Sequence, residues 1–126
     1  MDESQTMVMV VDDDAAVRSS LARLFTSAHL SFAMFDTAEA FLAEVGASTR
    51  GCAIVDVQLP GMTGFCLQNI ISRDFPSLEV IIITGFDEET AEQRALGGGA
   101  IAFLRKPFDP AALLGLLRKS LAPSRT

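Results

Sequence analysis

Residues 7–14 read MVMVVDDD, in which five apolar residues are followed directly by three aspartates. An apolar run of this length predicts a β-strand that is buried on both faces. Two later segments follow the same plan, because CAIVD at 52–56 and LEVIIIT at 78–84 also end in a polar residue. Nearly continuous apolar strands are typical of a parallel sheet that helices cover on both sides.

Segments with helical periodicity alternate with apolar runs, and the pattern repeats five times along the chain. In the first such segment Leu21 and Phe25 fall on one helical face, while Arg18 and Arg23 fall on the other. This alternation predicts an α/β fold with a parallel sheet. The predicted strands are Met7–Val11, Ser31–Phe35, Cys52–Asp56, Leu78–Thr84 and Ala100–Leu104.

Capping residues predict where the helices begin. Asp36, with Glu39 three residues later, predicts a capping box at the start of the second helix. Asp109 followed by Pro110 predicts the start of the fifth, because proline suits the first helical position. The third helix is expected after Gly64, and the fourth is expected to run from Asp87 to the glycines at 97–99.

Length and charge narrow the class of protein. The chain has 126 residues, 49% of them hydrophobic, which suits one domain with one continuous core. A net charge of -6 weighs against direct nucleic-acid binding, because phosphate backbones attract Lys and Arg, so we expect a protein partner. The first six residues do not resemble a secretory signal, and no apolar run approaches the ~20 residues that span a bilayer. We therefore expect a cytoplasmic protein that does not bind membranes.

The two cysteines, Cys52 and Cys66, are too few and too far apart for a CxxC metal or redox site. A disulfide framework normally contains more cysteines. We therefore expect two buried thiols in a reducing compartment.

Polar residues gather at the carboxyl ends of the predicted strands, where open parallel sheets bind their ligands. They are Asp12 to Asp14 after the first strand, Asp56 at the end of the third, Thr84-Gly85 at the end of the fourth, and Lys106-Pro107 after the fifth. All four sets should lie on one rim of the sheet. The second strand ends in Asp36, which the helix cap explains, and this suits a strand at the edge.

The residue types on this rim suit phosphoryl chemistry. Carboxylates that share a site repel one another unless a cation offsets their charge, and Mg²⁺ prefers oxygen ligands. Lys106 adds a positive charge where phosphoryl oxygens would lie, and the Thr84 hydroxyl can donate a hydrogen bond to one of them. Gly85 leaves space beside them. A carboxylate can also attack phosphorus to give an acyl phosphate.

Four motifs occur in order, each at the end of a predicted strand. They are VVDD at 10–13, DVQLPGMTG at 56–64, ITG at 83–85 and FLRKPF at 103–108. In residue types and spacing the chain resembles the response-regulator receiver domains of bacterial two-component signalling, over essentially its whole length. TAEAFL at 37–42 and the Thr84-Gly85 pair are most similar to receivers of the nitrogen-fixation regulator type.

The resemblance implies a role for each matched acidic residue. Asp56 is the phosphoacceptor, Asp13 a direct ligand of Mg²⁺, and Asp12 a ligand that acts largely through water. Asp56 also binds the metal, and Gln58 supplies its backbone carbonyl. The chain is then a phosphoacceptor that takes part in its own phosphorylation and dephosphorylation rather than an enzyme.

The resemblance further implies a switch. The Thr84 hydroxyl moves toward the phosphoryl group, the Phe103 ring turns into the vacated space, and Lys106 binds the phosphoryl group. The bond between Lys106 and Pro107 is expected to be cis. The fold implied is a single doubly wound five-stranded sheet of flavodoxin-like order 2-1-3-4-5 with five helices.

Partners follow from the same resemblance. A sensor histidine kinase supplies the phosphoryl group, and a homodimer or a downstream output protein uses the surface of helix four, strand five and helix five. The apolar arc of helix five is wide, so we expect Leu114 or Leu116 to reach that surface.

The chain departs from the family pattern in places. Phe103 stands where many members have tyrosine, which removes any hydrogen bond from a phenol oxygen. The glycines at 97–99 suggest a loose end of helix four. Regulators of this type usually add a DNA-binding domain, so residues 1–126 are expected to be either a stand-alone receiver or a piece of a longer regulator. Residues 122–126 form a tail or the start of a linker.

Other functions fit some of these residues. Asp14 can be a helix cap with no chemical role. Asp12 and Asp14 can form the Asp-x-Asp pair of a small phosphatase with an aspartate nucleophile, although such enzymes normally need a longer chain. A flavin-binding electron carrier has the same topology, but three aspartates after strand one would repel the flavin phosphate. A receiver fold retained only for protein contact is the remaining alternative.

Overall fold

The computed structural model describes residues 6–85 and 90–122. The strands are β1 Thr6–Val11, β2 Phe32–Phe35, β3 Arg50–Asp56, β4 Leu78–Thr84 and β5 Ala102–Arg105. The helices are α1 Ala15–Ser27, α2 Ala38–Glu44, α3 Gly64–Asp74, α4 Ala91–Gly97 and α5 Pro110–Leu121. Asp87, where the fourth helix was predicted to begin, lies outside the described residues, as do residues 123–126 of the predicted tail.

The five strands form one parallel sheet in the order β2-β1-β3-β4-β5, which confirms the predicted α/β fold. The register aligns the carboxyl ends of the three central strands. Val11 pairs with Val55, and Asp56 pairs with Ile83. Side chains that end β1, β3 and β4 therefore meet on one rim, as the sequence predicts.

The sheet is buried on both faces because side chains alternate along each strand. Met9 and Val11 in β1 face α2, α3 and α4, whereas Val8 and Val10 face α1 and α5. Leu114 and Leu116 of α5 are half-buried and pack against the second of these cores. The wide apolar arc of α5 therefore contributes to the core, while the half-exposed Leu114 and Leu116 also remain accessible at the surface. Among the described residues the exposed large apolar side chains are Leu96 and Ile101.

Helix starts follow the predicted caps with one correction. Asp14 caps α1 and Asp109 caps α5, each through its side chain. The α2 helix is capped by Thr37 rather than by Asp36, because the Thr37 hydroxyl accepts a hydrogen bond of 3.0 Å from the N–H of Ala40. Asp36 lies one residue too early to reach that donor, and the predicted capping box is therefore wrong.

The glycines after α4 form a closed turn. The N–H groups of Gly98, Gly99 and Ala100 donate to carbonyls of α4 at 2.9, 3.1 and 3.0 Å. A Cβ at Gly98 would lie 3.0 Å from three atoms of the Gln68 amide, so an added side chain would press on this amide. Gln68 is buried, and its Nε2 donates to the Ala95 carbonyl at 2.8 Å. The end of α4 is thus packed against α3 rather than open.

The cysteine prediction is half wrong. Cys52 is buried in β3, but Cys66 is exposed, and both are free thiols. Cys66 lies between the buried positions Phe65 and Leu67 of α3, on the side of the helix that faces away from the sheet. Within the described ranges, no helix combines the length and the apolar character that crossing a membrane requires.

Candidate functional site

The rim of the sheet gathers the predicted acidic residues. Asp12 directly follows β1 and is fully buried, and Asp56 ends β3 with 4% of its surface exposed. Asp13 is exposed. One oxygen from each of these three carboxylates lies within 4.8 Å of the others. The predicted acidic cluster is therefore assembled in the folded chain.

Lys106 joins the two buried carboxylates. Its Nζ lies 2.8 Å from Asp12 Oδ2 and donates a hydrogen bond of 2.9 Å to Asp56 Oδ2. The contact with Asp12 Oδ2 is an ion pair without hydrogen-bond geometry, so this buried oxygen accepts no hydrogen bond. One ammonium against three carboxylates leaves the cluster with excess negative charge, which a divalent cation would offset.

Backbone groups orient the Asp56 carboxylate. Its Oδ1 accepts a hydrogen bond of 3.1 Å from the N–H of Gln58, which lies in the loop after β3. Burial raises the pKa of Asp56, although the hydrogen bonds from Lys106 and Gln58 oppose this shift and the charge of Asp12 adds to it. Burial alone would lower the pKa of Lys106, but its contacts with Asp12 and Asp56 outweigh burial and raise it.

The donor set fits Mg²⁺. Three carboxylates within reach of one another offer the hard oxygen ligands that this ion prefers, and the Asp12 Oδ2 atom retains an acceptor site. Asp12, Asp13 and Asp56 are the side chains that could hold the ion. Gln58 adjoins them through its backbone N–H, and the ligand role of its carbonyl stays a prediction.

The predicted switch residues lie on the same side of the sheet. Thr84 is fully buried at the end of β4, and its carbonyl accepts a hydrogen bond of 2.8 Å from the N–H of Lys106. Phe103 in β5 is half-buried, with the Arg105 guanidinium carbon 5.2 Å from its ring centre. Gly85 is exposed, and a Cβ there would lie 3.9 Å from the Lys106 side chain. The Lys106–Pro107 peptide bond is cis, as predicted.

Two residues beside the site carry roles that the sequence did not reveal. Arg18 was placed on the outer face of α1, but its Nη1 donates a hydrogen bond of 2.7 Å to the Asp12 carbonyl. Long helical side chains point back toward the N-terminus, and this rule could have found the contact. Gly64 packs its backbone on β3, so that an added Cβ would collide with the Asp56 carbonyl. Its N–H donates to the Val57 carbonyl at 2.8 Å.

Asp14 belongs to the helix rather than to the cluster. Its side chain is exposed, and Oδ1 accepts a hydrogen bond of 2.9 Å from the N–H of Ala16 at the start of α1. Its own N–H donates to Asp12 Oδ1 at 2.9 Å. Asp14 is thus the helix cap that the sequence suggested. Because its carboxylate is used for capping, the structure gives no support to a catalytic Asp-x-Asp pair with Asp12.

A groove of about 740 Å³ opens beside Lys106, between α1 and the loop that leads into α5. Its lining is mainly apolar and includes Val17, Leu24 and Phe108. The groove therefore offers a partner an apolar surface next to the acidic cluster.

Comparisons with known proteins agree with this geometry. The sequence profile of the response regulator receiver domain matches residues 8–118. Over 117 residues the chain is 39% identical to the transcriptional regulatory protein FixJ of Azorhizobium caulinodans, which covers 93% of this chain and 56% of FixJ. It is 36% identical over 121 residues to the response regulator protein TmoT of Ectopseudomonas mendocina, covering 96% of this chain and 55% of TmoT.

The fold is also similar to that of solved response regulators. The solved structure of the response regulator StyR superposes with a TM-score of 0.85 at 36% identity, covering 93% of this chain and 59% of StyR. The chain spans about half the length of the curated relatives it matches. With its profile match across most of its length, and with FixJ among its relatives as the resemblance predicts, the chain belongs to the response regulator receiver domain family of two-component systems.

Proposed function

We propose that Asp56 accepts a phosphoryl group from a sensor histidine kinase, with Mg²⁺ bound beside it, and that phosphorylation changes a partner-binding surface. The observation that carries this proposal is the position of Lys106, whose Nζ contacts both Asp12 and Asp56 at 2.8 and 2.9 Å. The Lys106 ammonium already lies beside the Asp56 carboxylate. It can therefore donate a hydrogen bond to an oxygen of a phosphoryl group that is attached to Asp56.

The transfer step requires a nucleophile and a charge partner. An oxygen of the Asp56 carboxylate attacks phosphorus, and an O–P bond forms while the P–N bond to the donor imidazole breaks. The electron pair of that bond leaves with the imidazole nitrogen. Lys106 exchanges its hydrogen bond with Asp56 for one with a phosphoryl oxygen, and the Thr84 hydroxyl donates to another.

The acidic cluster would hold the metal for this step. Asp13 and Asp56 would bind Mg²⁺ directly, the Gln58 carbonyl would complete the protein ligands, and Asp12 would act through water. When bound, the ion supplies positive charge that offsets the charge of the carboxylates and the phosphoryl oxygens. Gly64 packs its backbone against the end of β3, and Arg18 ties the Asp12 carbonyl to α1.

The apolar groove beside Lys106 supports a protein donor. A phosphohistidine must come within bonding distance of Asp56, so its protein has to dock on the same rim. The groove between α1 and the loop before α5 lies next to that rim and presents apolar side chains such as Val17 and Phe108. A helix of the kinase could bury an apolar face there.

Output would use the surface of α4, β5 and α5, through a homodimer or a downstream output protein. Thr84 and Phe103 are the proposed switch pair, and Leu96 in α4 and Ile101 directly before β5 have exposed apolar side chains. Two relatives, FixJ and TmoT, are named as a transcriptional regulator and a response regulator, which supports control of transcription by a longer protein. The acidic chain itself is not proposed to bind nucleic acid.

Phosphorylation by a small donor tests the proposal. The chain is incubated with acetyl phosphate and Mg²⁺, and its intact mass is measured. We expect a gain of one phosphoryl group that Asp56→Asn abolishes and that the matched variant of an exposed residue, Asp74→Asn, retains. Retention of the modification in Asp56→Asn would exclude the assignment. Steady release of phosphate from small esters would support the phosphatase alternative instead.

A further inference from the structure

We propose that Arg18 is a positioning residue of the acidic site, which fixes the turn that presents Asp12 and Asp13 to a cation. This inference rests on the proposed metal site. Arg18 itself touches no carboxylate oxygen of the cluster in the described contacts, so it acts through the backbone.

Arg18 holds the two peptide groups that flank the Asp13-Asp14 pair, namely the one before Asp13 and the one after Asp14. The Arg18 guanidinium donates to the Asp12 carbonyl at 2.7 Å, and the Arg18 backbone N–H donates to the Asp14 carbonyl at 3.1 Å. The second of these hydrogen bonds belongs to α1 and would form with any residue. The first depends on the guanidinium, because few side chains are long enough to return from the first turns of the helix to the residue before its cap.

The Arg18 contact is one of several that hold the backbone and the side chain of Asp12 in place. The Asp12 N–H donates to the Phe35 carbonyl at 3.0 Å, and its Oδ1 accepts from the Asp14 N–H at 2.9 Å. Its Oδ2 faces Lys106 at 2.8 Å. With its carbonyl on Arg18, Asp12 is held at four atoms by four residues, which are Phe35, Asp14, Lys106 and Arg18. Asp13 is exposed, so its placement depends on this backbone rather than on packing.

Charge and positioning have opposite effects on metal binding, which makes the proposal testable. The guanidinium is always protonated and repels a divalent cation. If Arg18 acted by charge alone, replacing it with a neutral residue would strengthen Mg²⁺ binding. If it acts by holding the turn, the same replacement weakens binding, because a freed turn must be ordered when the cation binds.

The experiment compares Arg18→Met, Arg18→Lys and the control Arg23→Met, an exposed arginine of the same helix. The chain has no Trp or Tyr, so Mg²⁺ affinity is measured by NMR titration of backbone amides. We expect Arg18→Met to weaken binding on the order of tenfold, as loss of a supporting group around a metal typically does. Arg18→Lys should recover part of the loss, and Arg23→Met should bind like the wild type.

A metal-free measurement separates positioning from general instability. In Arg18→Met without Mg²⁺, we expect amide shifts to change at residues 12–14 and amides of β4 and β5 to keep their positions. Unchanged or tighter Mg²⁺ binding in Arg18→Met would overturn the proposal. If Arg18→Met loses its fold, Arg18→Lys is compared with the wild type directly: weaker Mg²⁺ binding supports the proposal, and wild-type binding overturns it.

Failure of the metal site itself has a different signature. Should Asp13→Asn leave Mg²⁺ affinity unchanged, the proposed site is wrong and the role of Arg18 falls with it. If Asp13→Asn abolishes binding while Arg18→Met does not weaken it, the site stands and only the positioning role is excluded.

Discussion

Lys106 and Asp56 are 50 residues apart in the chain, yet the Lys106 Nζ donates a hydrogen bond of 2.9 Å to Asp56 Oδ2. The parallel register of β3, β4 and β5 brings them together, since Asp56 pairs with Ile83 and Thr84 pairs with Arg105. The ammonium reduces the cost of burying a carboxylate but does not cancel it, because burial still raises the pKa of Asp56. The stability of the metal-free chain should therefore depend on this one residue.

We expect Asp56→Asn to be more stable than the wild type at neutral pH without metal. A raised pKa means that the folded chain holds the Asp56 proton more tightly than the unfolded chain. Binding of this proton stabilises the folded chain fully when the pH is below 3.8, the ordinary pKa of an aspartate. This stabilisation is lost as the pH rises through the higher pKa that Asp56 has in the folded chain. Asparagine cannot ionise, so the advantage of the variant should grow across that window, as measured by denaturant unfolding at several pH values.

Asp74→Asn provides a control, because the pKa of Asp74 is shifted in the opposite direction to that of Asp56. The hydrogen bond from Arg73 lowers the pKa of the exposed Asp74, so its ionised form favours folding slightly. This variant should be no more stable than the wild type at neutral pH. An Asp56→Asn chain that is less stable than the wild type at neutral pH would contradict the assigned direction of the pKa shift.

Asp13→Asn should weaken Mg²⁺ binding, whereas Asp14→Asn should not. Asp13 lies in the acidic cluster, and its replacement removes one anionic oxygen ligand. Asp14 caps α1, and asparagine is an equally good cap. NMR titration with Mg²⁺ measures both affinities. Equal affinities in the wild type and Asp13→Asn, or a loss in Asp14→Asn of similar size, would rule out the ligand assignment.

Thr84→Ala should separate phosphorylation from its consequence. The variant keeps the Asp56 nucleophile but lacks the hydroxyl that is proposed to move toward the phosphoryl group. We expect beryllium trifluoride with Mg²⁺ to shift amides of α4 and α5 in the wild type and to shift them less in Thr84→Ala, while acetyl phosphate still modifies both. Thr26→Ala, at an exposed threonine of α1, is the control. A full response in Thr84→Ala would exclude Thr84 as a switch residue.

The two cysteines should differ in reactivity. Burial raises the pKa of the Cys52 thiol to about 12, so very little thiolate forms at mildly alkaline pH, whereas Cys66 is exposed. Alkylation with iodoacetamide should add one label to the native chain and two in denaturant, by intact mass. The native Cys66→Ser variant should remain unlabelled. Rapid labelling of that variant would show that β3 opens to solvent.

Gln68→Leu should destabilise the chain by about 0.5–1.5 kcal/mol, because the Ala95 carbonyl loses the hydrogen bond from the Gln68 amide and keeps only the one from the Ala100 N–H. Gln93→Leu, at an exposed position of α4, should have little effect on stability.

Gly98→Ala should also destabilise the chain, because the added Cβ meets the Gln68 amide. This loss of stability should be smaller when Gln68 is replaced by alanine. Denaturant unfolding of the single and double variants measures this coupling, and strictly additive effects would contradict it.

The sequence pattern was sufficient to predict a parallel α/β architecture, and the family resemblance supplied the strand order. Apolar runs such as residues 7–11 and 52–55 are readable as buried strands because both of their faces carry apolar side chains. The parallel arrangement then determines that polar residues at the strand ends share a rim. The acidic cluster was therefore predictable before any distance was known, and the family motifs supplied the expected roles of its members.

Local details were less predictable where a shift of one residue in the start of a helix changes which side chain makes a contact. Asp36 and Thr37 are both good caps, and only the backbone geometry shows that Thr37 reaches the N–H of Ala40. Cys66 was expected to be buried from residue type, but helical position turned it outward. Short-range patterns predict that a cap or a buried face exists, while its exact members depend on where the helix starts.

Tertiary structure alone decided how the site is held together. The contacts of Lys106 with Asp12 and Asp56 depend on strand register. The contact of Arg18 with the Asp12 carbonyl depends on where α1 begins relative to the end of β1. Tertiary structure likewise decided the contact of the Gln68 amide between α3 and the end of α4. Sequence determined which residues stand at the rim, because periodicity follows from backbone geometry. Packing determined which of their atoms meet, because contacts such as that of Lys106 with Asp56 join residues that are 50 positions apart in the chain.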